Sequence, residues 1–120
     1  MAAAPPLPGQ LKPKQQKPPE PPEEDESLKP KEYGFNPLQA TKEIRVGEYY
    51  MKKGKHTAAA KRFEEATRWD PGNAEAWLRL AEVREKMKND VAAKEAYAKY
   101  LEVAPDAKNA AAIRKKLEKK

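Results

Sequence analysis

Few side chains in this sequence could act as a nucleophile or as a general base. The chain has no cysteine, its only histidine is His56, and its only serine is Ser27, which lies in a proline-rich stretch. Nucleophilic catalysis needs a nucleophile and a base within hydrogen-bond reach of each other. An ordered hydroxyl beside His56 could come only from a threonine or a tyrosine. We therefore expect no enzyme and no catalytic residue, although catalysis by carboxylates alone is left open.

The candidate ligand chemistry is equally narrow. Without cysteine there are no disulfides, no thiolate zinc site and no lipid-bearing cysteine in this sequence. The five glycines are scattered, so no glycine-rich phosphate loop is present. No stretch approaches the roughly 20 apolar residues that a transmembrane helix needs. We expect no cofactor, no metal site and no transmembrane segment.

The first 36 residues differ in composition from the rest of the chain. Nine of the twelve prolines lie in the first 30 residues, while seven of the nine aromatic residues follow Asn36. Such a proline-rich segment cannot bury enough apolar surface to offset the entropy lost on ordering. We expect a disordered proline-rich arm over residues 1–36 and a folded domain over residues 37–120. The arm is predicted to be a tether, and its P-x-x-P spacings leave a role as a ligand open.

Charge divides at the same boundary. Residues 1–36 hold five lysines and six acidic residues, which gives a net charge of −1. Since the whole chain has a net charge of +6, residues 37–120 have a net charge of +7. A basic domain raises a nucleic-acid-binding alternative, which we consider less favoured than a solvated helical surface. The basic run from Arg114 to Lys120 also has a structural interpretation, because cations stabilise the C-terminus of a helix.

The folded part repeats itself. Aligning Pro71 with Pro105 gives an offset of 34 residues, which is the period of a helical-hairpin repeat. At this offset small, aromatic and aliphatic residues fall on residues of the same class. The matched pairs are Gly47 with Ala81, Ala59 with Ala93, Phe63 with Tyr97, and Val46 with Leu80.

Capping and breaking residues divide each repeat into two helices. Asn36 followed by Pro37 predicts the start of the first helix, which should end near Lys53 because Gly54 suits a left-handed residue. The residues predicted to cap later helices are Thr57, Asn73 and Asp106, the last for a helix over residues 107–119. Asn89 and Asp90 are predicted to break the chain between the third and fourth helices. The sequence therefore predicts an all-α fold.

These residues resemble the tetratricopeptide repeat. The first set, Gly47, Tyr50, Gly54, Ala59, Phe63, Ala66 and Pro71, lacks only the initial tryptophan, whose position holds Glu43. The second set is Trp77, Leu80, Ala81, Ala93, Tyr97 and Pro105. It departs from the family at Arg84, Lys88 and Tyr100, which replace an aromatic residue, a turn glycine and a small residue. We expect looser packing near Arg84 and Tyr100.

The resemblance implies an α-α superhelix of two helix-turn-helix repeats and a C-terminal capping helix. The repeats are expected at about residues 40–73 and 74–107, and the cap at about 107–119. Two repeats are few for a stable stack, so packing of Phe35 and Leu38 on the first helix, or weak self-association, is expected to help.

The family resemblance also implies a non-catalytic scaffold that binds a partner peptide or helix in a concave groove. A partner with apolar anchors and some basic residues would complement this groove. The alternative is that its apolar residues close against a neighbouring helix or the arm. The predicted lining comprises Thr41, Ile44, Glu48, Met51, Glu75, Leu78, Glu82, Glu85 and Asn109, followed by Ala112 and Lys116.

A narrower resemblance concerns the stretch from Gly47 to Phe63. It is similar to a repeat of bacterial outer-membrane assembly lipoproteins, which also carry a repeat domain on a flexible arm. Those proteins have more repeats and a lipidated cysteine, both missing here. This alternative implies a periplasmic scaffold if a leader has been removed, whereas a true start at Met1 implies the cytoplasm.

Overall fold

The computed structural model describes residues 32–119, which form five α-helices and contain no strand. The helices are α1 (Pro37–Lys52), α2 (His56–Trp69), α3 (Ala74–Lys86), α4 (Asp90–Val103) and α5 (Ala110–Glu118). The predicted all-α fold is therefore confirmed for this part of the chain. The predicted disordered arm lies outside the described residues, apart from residues 32–36.

Asparagine side chains cap three of the helices, and the sequence predicts two of these caps, Asn36 and Asn73. Asn36, Asn73 and Asn89 each accept a hydrogen bond from the backbone N–H three residues further on, at 3.0, 3.1 and 3.3 Å. Each bond satisfies a donor that has no partner within the first turn. Pro37 occupies the first turn of α1, where its missing N–H costs nothing.

Two predicted helix starts are wrong. Helix α2 begins at His56 and not after Thr57, because the N–H of Lys55 bonds to the carbonyl of Tyr50 at 2.9 Å and turns the chain directly into the next helix. Helix α5 begins at Ala110, and its N-cap is Asn109 and not Asp106. The intervening residues form two turns, closed by bonds from Ala107 to Ala104 and from Ala110 to Ala107.

The helices pack in order along the chain. Helix α1 packs on α2 and α3 on α4, which gives two helical hairpins, and α2 contacts α3 between them. Helix α5 packs on α4 at the end of this series. The largest fully buried side chains are Tyr50, Phe63, Leu80 and Val83, so both hairpins contribute to one core.

Helices α1 and α2 approach closely at Gly47. A Cβ atom at this position would lie 2.7 Å from Cδ1 and 2.8 Å from Cζ of Phe63. Non-bonded carbon atoms prefer about 3.5–4.0 Å, so only glycine lets the Phe63 ring lie where it does.

Residues 32–36 contact the first hairpin through Tyr33 and Asn36. The Tyr33 ring lies edge-on to Trp69, with ring centroids 4.9 Å apart, and its hydroxyl donates to Glu65. Burial, together with this hydrogen bond, raises the pKa of Tyr33 to about 12. The N–H of Asn36 donates to the Trp69 carbonyl at 2.9 Å. The expected packing of Phe35 and Leu38 is wrong, because they are 76% and 70% exposed.

Arg84 and Tyr100, near which the sequence predicts looser packing, both form hydrogen bonds within the fold. The Arg84 guanidinium donates to the Ala92 carbonyl at 3.1 Å and to the Glu64 carboxylate at 2.9 Å. Tyr100 is buried, and its hydroxyl donates to Oδ1 of Asn109 at 2.8 Å. The polar groups of these two atypical side chains are therefore satisfied by neighbouring residues.

Candidate functional site

Ion pairs link α1 to α3 and α3 to the terminal helix α5. Glu48 of α1 lies 3.2 Å from Arg79 of α3, and Glu85 of α3 lies 2.9 Å from Lys116 of α5. We call the surface that these three helices share the first-helix face. It is defined by the charged side chains that connect these helices or lie beside them in ion pairs, namely Glu48, Glu75, Arg79, Glu82, Glu85 and Lys116.

An acidic cluster occupies the centre of the first-helix face. The Arg79 guanidinium lies 3.2 Å from Glu48 and 3.6 Å from each of Glu75 and Glu82. Three carboxylates thus share one cation, and their side chains are between 38% and 55% exposed. The cluster therefore has an excess of two negative charges and remains open to solvent.

Apolar side chains lie beside this cluster. Leu78 and Met51 are half-buried and pack against the core with part of their surface open. Ile44, which the sequence places on the same face, is only 4% exposed and belongs to the core. The apolar surface open to a ligand is therefore provided by Leu78 and Met51, and Ile44 contributes almost none.

Glu85 is the best-connected carboxylate on the face. It accepts hydrogen bonds from the Tyr97 hydroxyl at 2.7 Å and from the Lys116 ammonium at 2.9 Å. Burial favours its neutral form, but the two hydrogen bonds outweigh burial and lower the pKa of Glu85 below its ordinary value of 4.5. Burial and the bond to Glu85 also raise the pKa of Tyr97. Glu85 therefore joins α3, α4 and α5.

Two predicted lining residues have internal partners. The Thr41 hydroxyl donates to the Pro37 carbonyl at 3.1 Å, one turn back in the same helix. Asn109 accepts the hydroxyl of buried Tyr100, while Ala112 is exposed on α5. Arg79, in contrast, was missed by the sequence reasoning. Its spacing of four residues from Glu75 and three from Glu82 is the signal for ion pairs on one helix face.

The repeat-defining residues mostly lie in the core. Trp77 is half-buried, and its indole N–H donates to the Pro71 carbonyl at 2.8 Å, which ties α3 to the preceding turn. Pro71 and Pro105 are exposed in the turns that follow α2 and α4. The buried members are Gly47, Tyr50, Ala59, Phe63, Ala66, Leu80, Ala81, Ala93 and Tyr97.

The fold and this face together define a helical-repeat scaffold, made of stacked hairpins closed by a terminal helix. A family profile described as "Tetratricopeptide repeat" matches residues 50–117, which is more than half of the chain. The chain belongs to the tetratricopeptide-repeat family. Repeats of this family are generally protein-interaction modules and typically non-catalytic.

No curated protein matches the chain significantly. The resemblance to outer-membrane assembly lipoproteins therefore stays a prediction. Among the helices of residues 32–119, none has the length and apolar character that crossing a bilayer requires.

Proposed function

We propose that the protein is a non-catalytic scaffold whose first-helix face binds a basic amphipathic segment of a partner protein. The acidic cluster around Arg79 carries this proposal, because it places excess negative charge beside the open apolar surface of Leu78 and Met51. A partner helix with apolar residues one turn apart and lysines or arginines beside them matches both features.

The basic C-terminal run favours this function over nucleic-acid binding. Lys116 is paired with Glu85, and Arg114 donates to the Pro105 carbonyl at 3.2 Å. Two of its cations thus stabilise contacts within the fold. Nucleic-acid binding would require that affinity fall steeply with salt and with neutralisation of this run.

The proposal is tested with a synthetic helical peptide that carries leucines at positions i, i+4 and i+7 and lysines at most others. Calorimetric titration of the full chain compares this peptide with a counterpart in which glutamate replaces every lysine. We expect saturable binding of the lysine peptide alone. Charge reversal on the ligand separates recognition by the acidic cluster from simple apolar adhesion.

Two pairs of variants locate the binding surface. Leu78→Glu should abolish binding, whereas Val91→Glu should not, since Val91 is 73% exposed at the start of α4, outside the first-helix face. Glu75→Gln with Glu82→Gln should weaken binding about five- to tenfold, given the usual strength of exposed ion pairs. The matched variant Glu95→Gln with Glu118→Gln, which removes the same charge elsewhere, should not. Equal effects in both members of either pair would overturn the proposal.

A further inference from the structure

A crevice lies on the side of α3 opposite the first-helix face. Helical geometry at 3.6 residues per turn puts Trp77, Leu80 and Arg84 on one side of α3 and Leu78, Arg79 and Glu82 on the other. The first three form the floor of an open crevice of about 560 Å³, whose walls come from α2 and α4. We call it the outer crevice.

The outer crevice is basic, in contrast to the first-helix face. Arg68, Arg84 and Lys99 line it together with one carboxylate, Glu64. Glu64 is bonded to Arg84 at 2.9 Å, and these two charges neutralise each other. Arg68 and Lys99 are exposed, and the only carboxylate within 4 Å of Lys99 among the described residues is Glu102, one turn along its own helix at 3.7 Å and itself open to solvent. The crevice therefore presents two cations to solvent.

Two aromatic rings and a proline give the outer crevice an apolar interior. Trp77 is held by its hydrogen bond to Pro71, and both residues line the crevice with Tyr33. Tyr33 is fixed by Trp69 and by its hydrogen bond to Glu65. The surface is therefore pre-organised, which reduces the entropy lost when a ligand binds.

We propose that the outer crevice binds an acidic, extended peptide segment of a partner protein. An apolar or proline side chain lies between Tyr33 and Trp77, and flanking carboxylates pair with Arg68 and Lys99. Both the charge of the exposed side chains and the apolar floor match this ligand. The inference does not rest on the function proposed for the first-helix face, which lies on the other side of α3.

The observations favour a peptide over single-stranded nucleic acid. Nucleic-acid grooves follow several successive phosphates and offer free aromatic faces on which bases stack. Only two cations here lack a partner within the crevice. The Tyr33 ring already has two neighbours, because the Arg68 guanidinium lies 5.7 Å from the ring centroid and Trp69 packs edge-on against the ring. Two carboxylates on a short peptide suit this arrangement better.

The Trp77 indole N–H gives a direct readout of the outer crevice. The full chain, labelled with ¹⁵N, is titrated with the peptide acetyl-Glu-Asp-Leu-Pro-Glu-Asp-amide. The control peptide has glutamine in place of each glutamate and asparagine in place of each aspartate. Oligothymidylate serves as the nucleic-acid probe. We expect a saturable shift of the Trp77 indole signal with the acidic peptide alone, while amide signals of α5 stay in place.

Matched variants test the role of the two cations. Arg68→Gln with Lys99→Gln should weaken binding of the acidic peptide about five- to tenfold, as expected for two exposed ion pairs. Lys61→Gln with Lys108→Gln removes the same charge from exposed positions outside the crevice and should change affinity less than about twofold. Thermal unfolding by circular dichroism checks that both variants are folded.

Three results would overturn the inference. The first is an unmoved Trp77 signal, and the second is equal binding of the acidic and neutral peptides. The third is tighter binding of oligothymidylate through Arg68 and Lys99, which would assign the crevice to nucleic acid. Leu78→Glu should leave the Trp77 response unchanged, so failure of the first-helix proposal is distinguishable from failure of this one.

Discussion

The two repeats fill equivalent positions of the same backbone with different chemistry. In the first repeat (α1 and α2), Glu43 and Arg62 form an ion pair at 3.3 Å, with side chains only 7% and 12% exposed. The residues 34 positions later, in the second repeat (α3 and α4), are Trp77 and Ala96. A buried charge pair in the first repeat therefore corresponds in sequence to a large-plus-small apolar pair in the second.

The repeat therefore constrains the volume between its helices more strictly than the identity of the side chains that fill it. A buried ion pair contributes little net stability, because desolvation of the charges offsets their attraction. Removing one partner is costly, however, since a buried charge is left behind. Glu43 also accepts a hydrogen bond from Gln39 at 3.0 Å, which helps to satisfy its second oxygen.

The largest expected effect comes from breaking this ion pair. Arg62→Ala should destabilise the protein by about 3 kcal/mol, because it leaves the Glu43 carboxylate buried beside a cavity. Glu43→Trp combined with Arg62→Ala copies the second repeat and should return stability to within about 1 kcal/mol of the starting protein. Urea unfolding followed by circular dichroism measures both free energies.

An exposed arginine provides the control for this swap. Arg79→Ala also removes a guanidinium from an ion cluster, but that side chain is 42% exposed, so the cost should stay below about 1 kcal/mol. If the double variant were no more stable than Arg62→Ala, the two repeats would not be equivalent at this position.

The small residue between the helices gives the next largest effect. Gly47→Ala should cost about 2 kcal/mol, because the added Cβ collides with the buried Phe63 ring and this outweighs the better helix propensity of alanine. Phe63→Leu added to Gly47→Ala should recover part of the loss. The measurement is again the free energy of unfolding in urea.

At the equivalent position of the second repeat, removing a methyl group should destabilise the protein, whereas at Gly47 adding one does. Ala81→Gly should also destabilise, by about 1 kcal/mol, through lost helix propensity and lost packing of a fully buried methyl group. A stabilising Gly47→Ala would show that the Phe63 ring moves aside freely, and that the close contact does not require glycine.

The sequence predicted the helices better than it predicted which surfaces stay open. The 34-residue period and the asparagine caps depend on local spacing, and both describe the observed helices. Ile44 and Leu78 are equivalent in sequence, yet Ile44 is buried and Leu78 is half-buried. Helix α1 has α3 packed against it, whereas α5 starts late and packs mainly on α4. A residue's burial thus depends on the next hairpin, which the repeat pattern alone does not describe.

The sequence also did not predict which charged residues pair between helices. Arg62 meets Glu43 and Arg84 meets Glu64 across separations of 19 and 20 residues, on neighbouring helices. Such pairs depend on the angle between helices and on side-chain rotamers. The Arg79 cluster differs, because two of its three contacts lie within one helix and follow from spacing.

A hydroxyl distinguishes the next equivalent pair, Phe63 and Tyr97. Tyr97→Phe should cost about 1 kcal/mol at neutral pH, less than the roughly 1.5–3 kcal/mol typical of a hydrogen bond to a charged group, because the Glu85 side chain is 38% exposed and screened by solvent. Folding lowers the pKa of Glu85, so its ionised form contributes stability that is present above its ordinary pKa. This contribution is lost as the pH falls through the lowered pKa.

The difference between the starting protein and Tyr97→Phe should therefore shrink on acidification. Urea unfolding at neutral pH and at about pH 3 measures the difference directly. Tyr100→Phe is the control, since the Tyr100 hydroxyl bonds to the uncharged Asn109 and its effect should not change with pH over this range. Parallel behaviour of the two variants would mean that Glu85 ionisation does not couple to folding.

Substitutions in the turns between the two helices of each repeat should have the smallest effects on stability. Gly54 and Lys88 occupy equivalent turns and have φ angles of 75° and 63°, both in the left-handed region. A side chain at such an angle costs about 1 kcal/mol, so Gly54→Ala should destabilise by that amount. Lys88→Gly should stabilise by up to about 1 kcal/mol, less the added chain entropy of glycine.

No heavy atom lies within 4 Å of a Cβ built on Gly54, so the cost of Gly54→Ala isolates the backbone term. For a domain of this size 1 kcal/mol corresponds to a shift of about 4–8 °C in Tm, which thermal unfolding by circular dichroism resolves. Opposite shifts from the two substitutions would show that both turns have the same backbone requirement and that only the first repeat meets it with glycine. Destabilisation by Lys88→Gly would instead mean that the lysine side chain itself stabilises the turn.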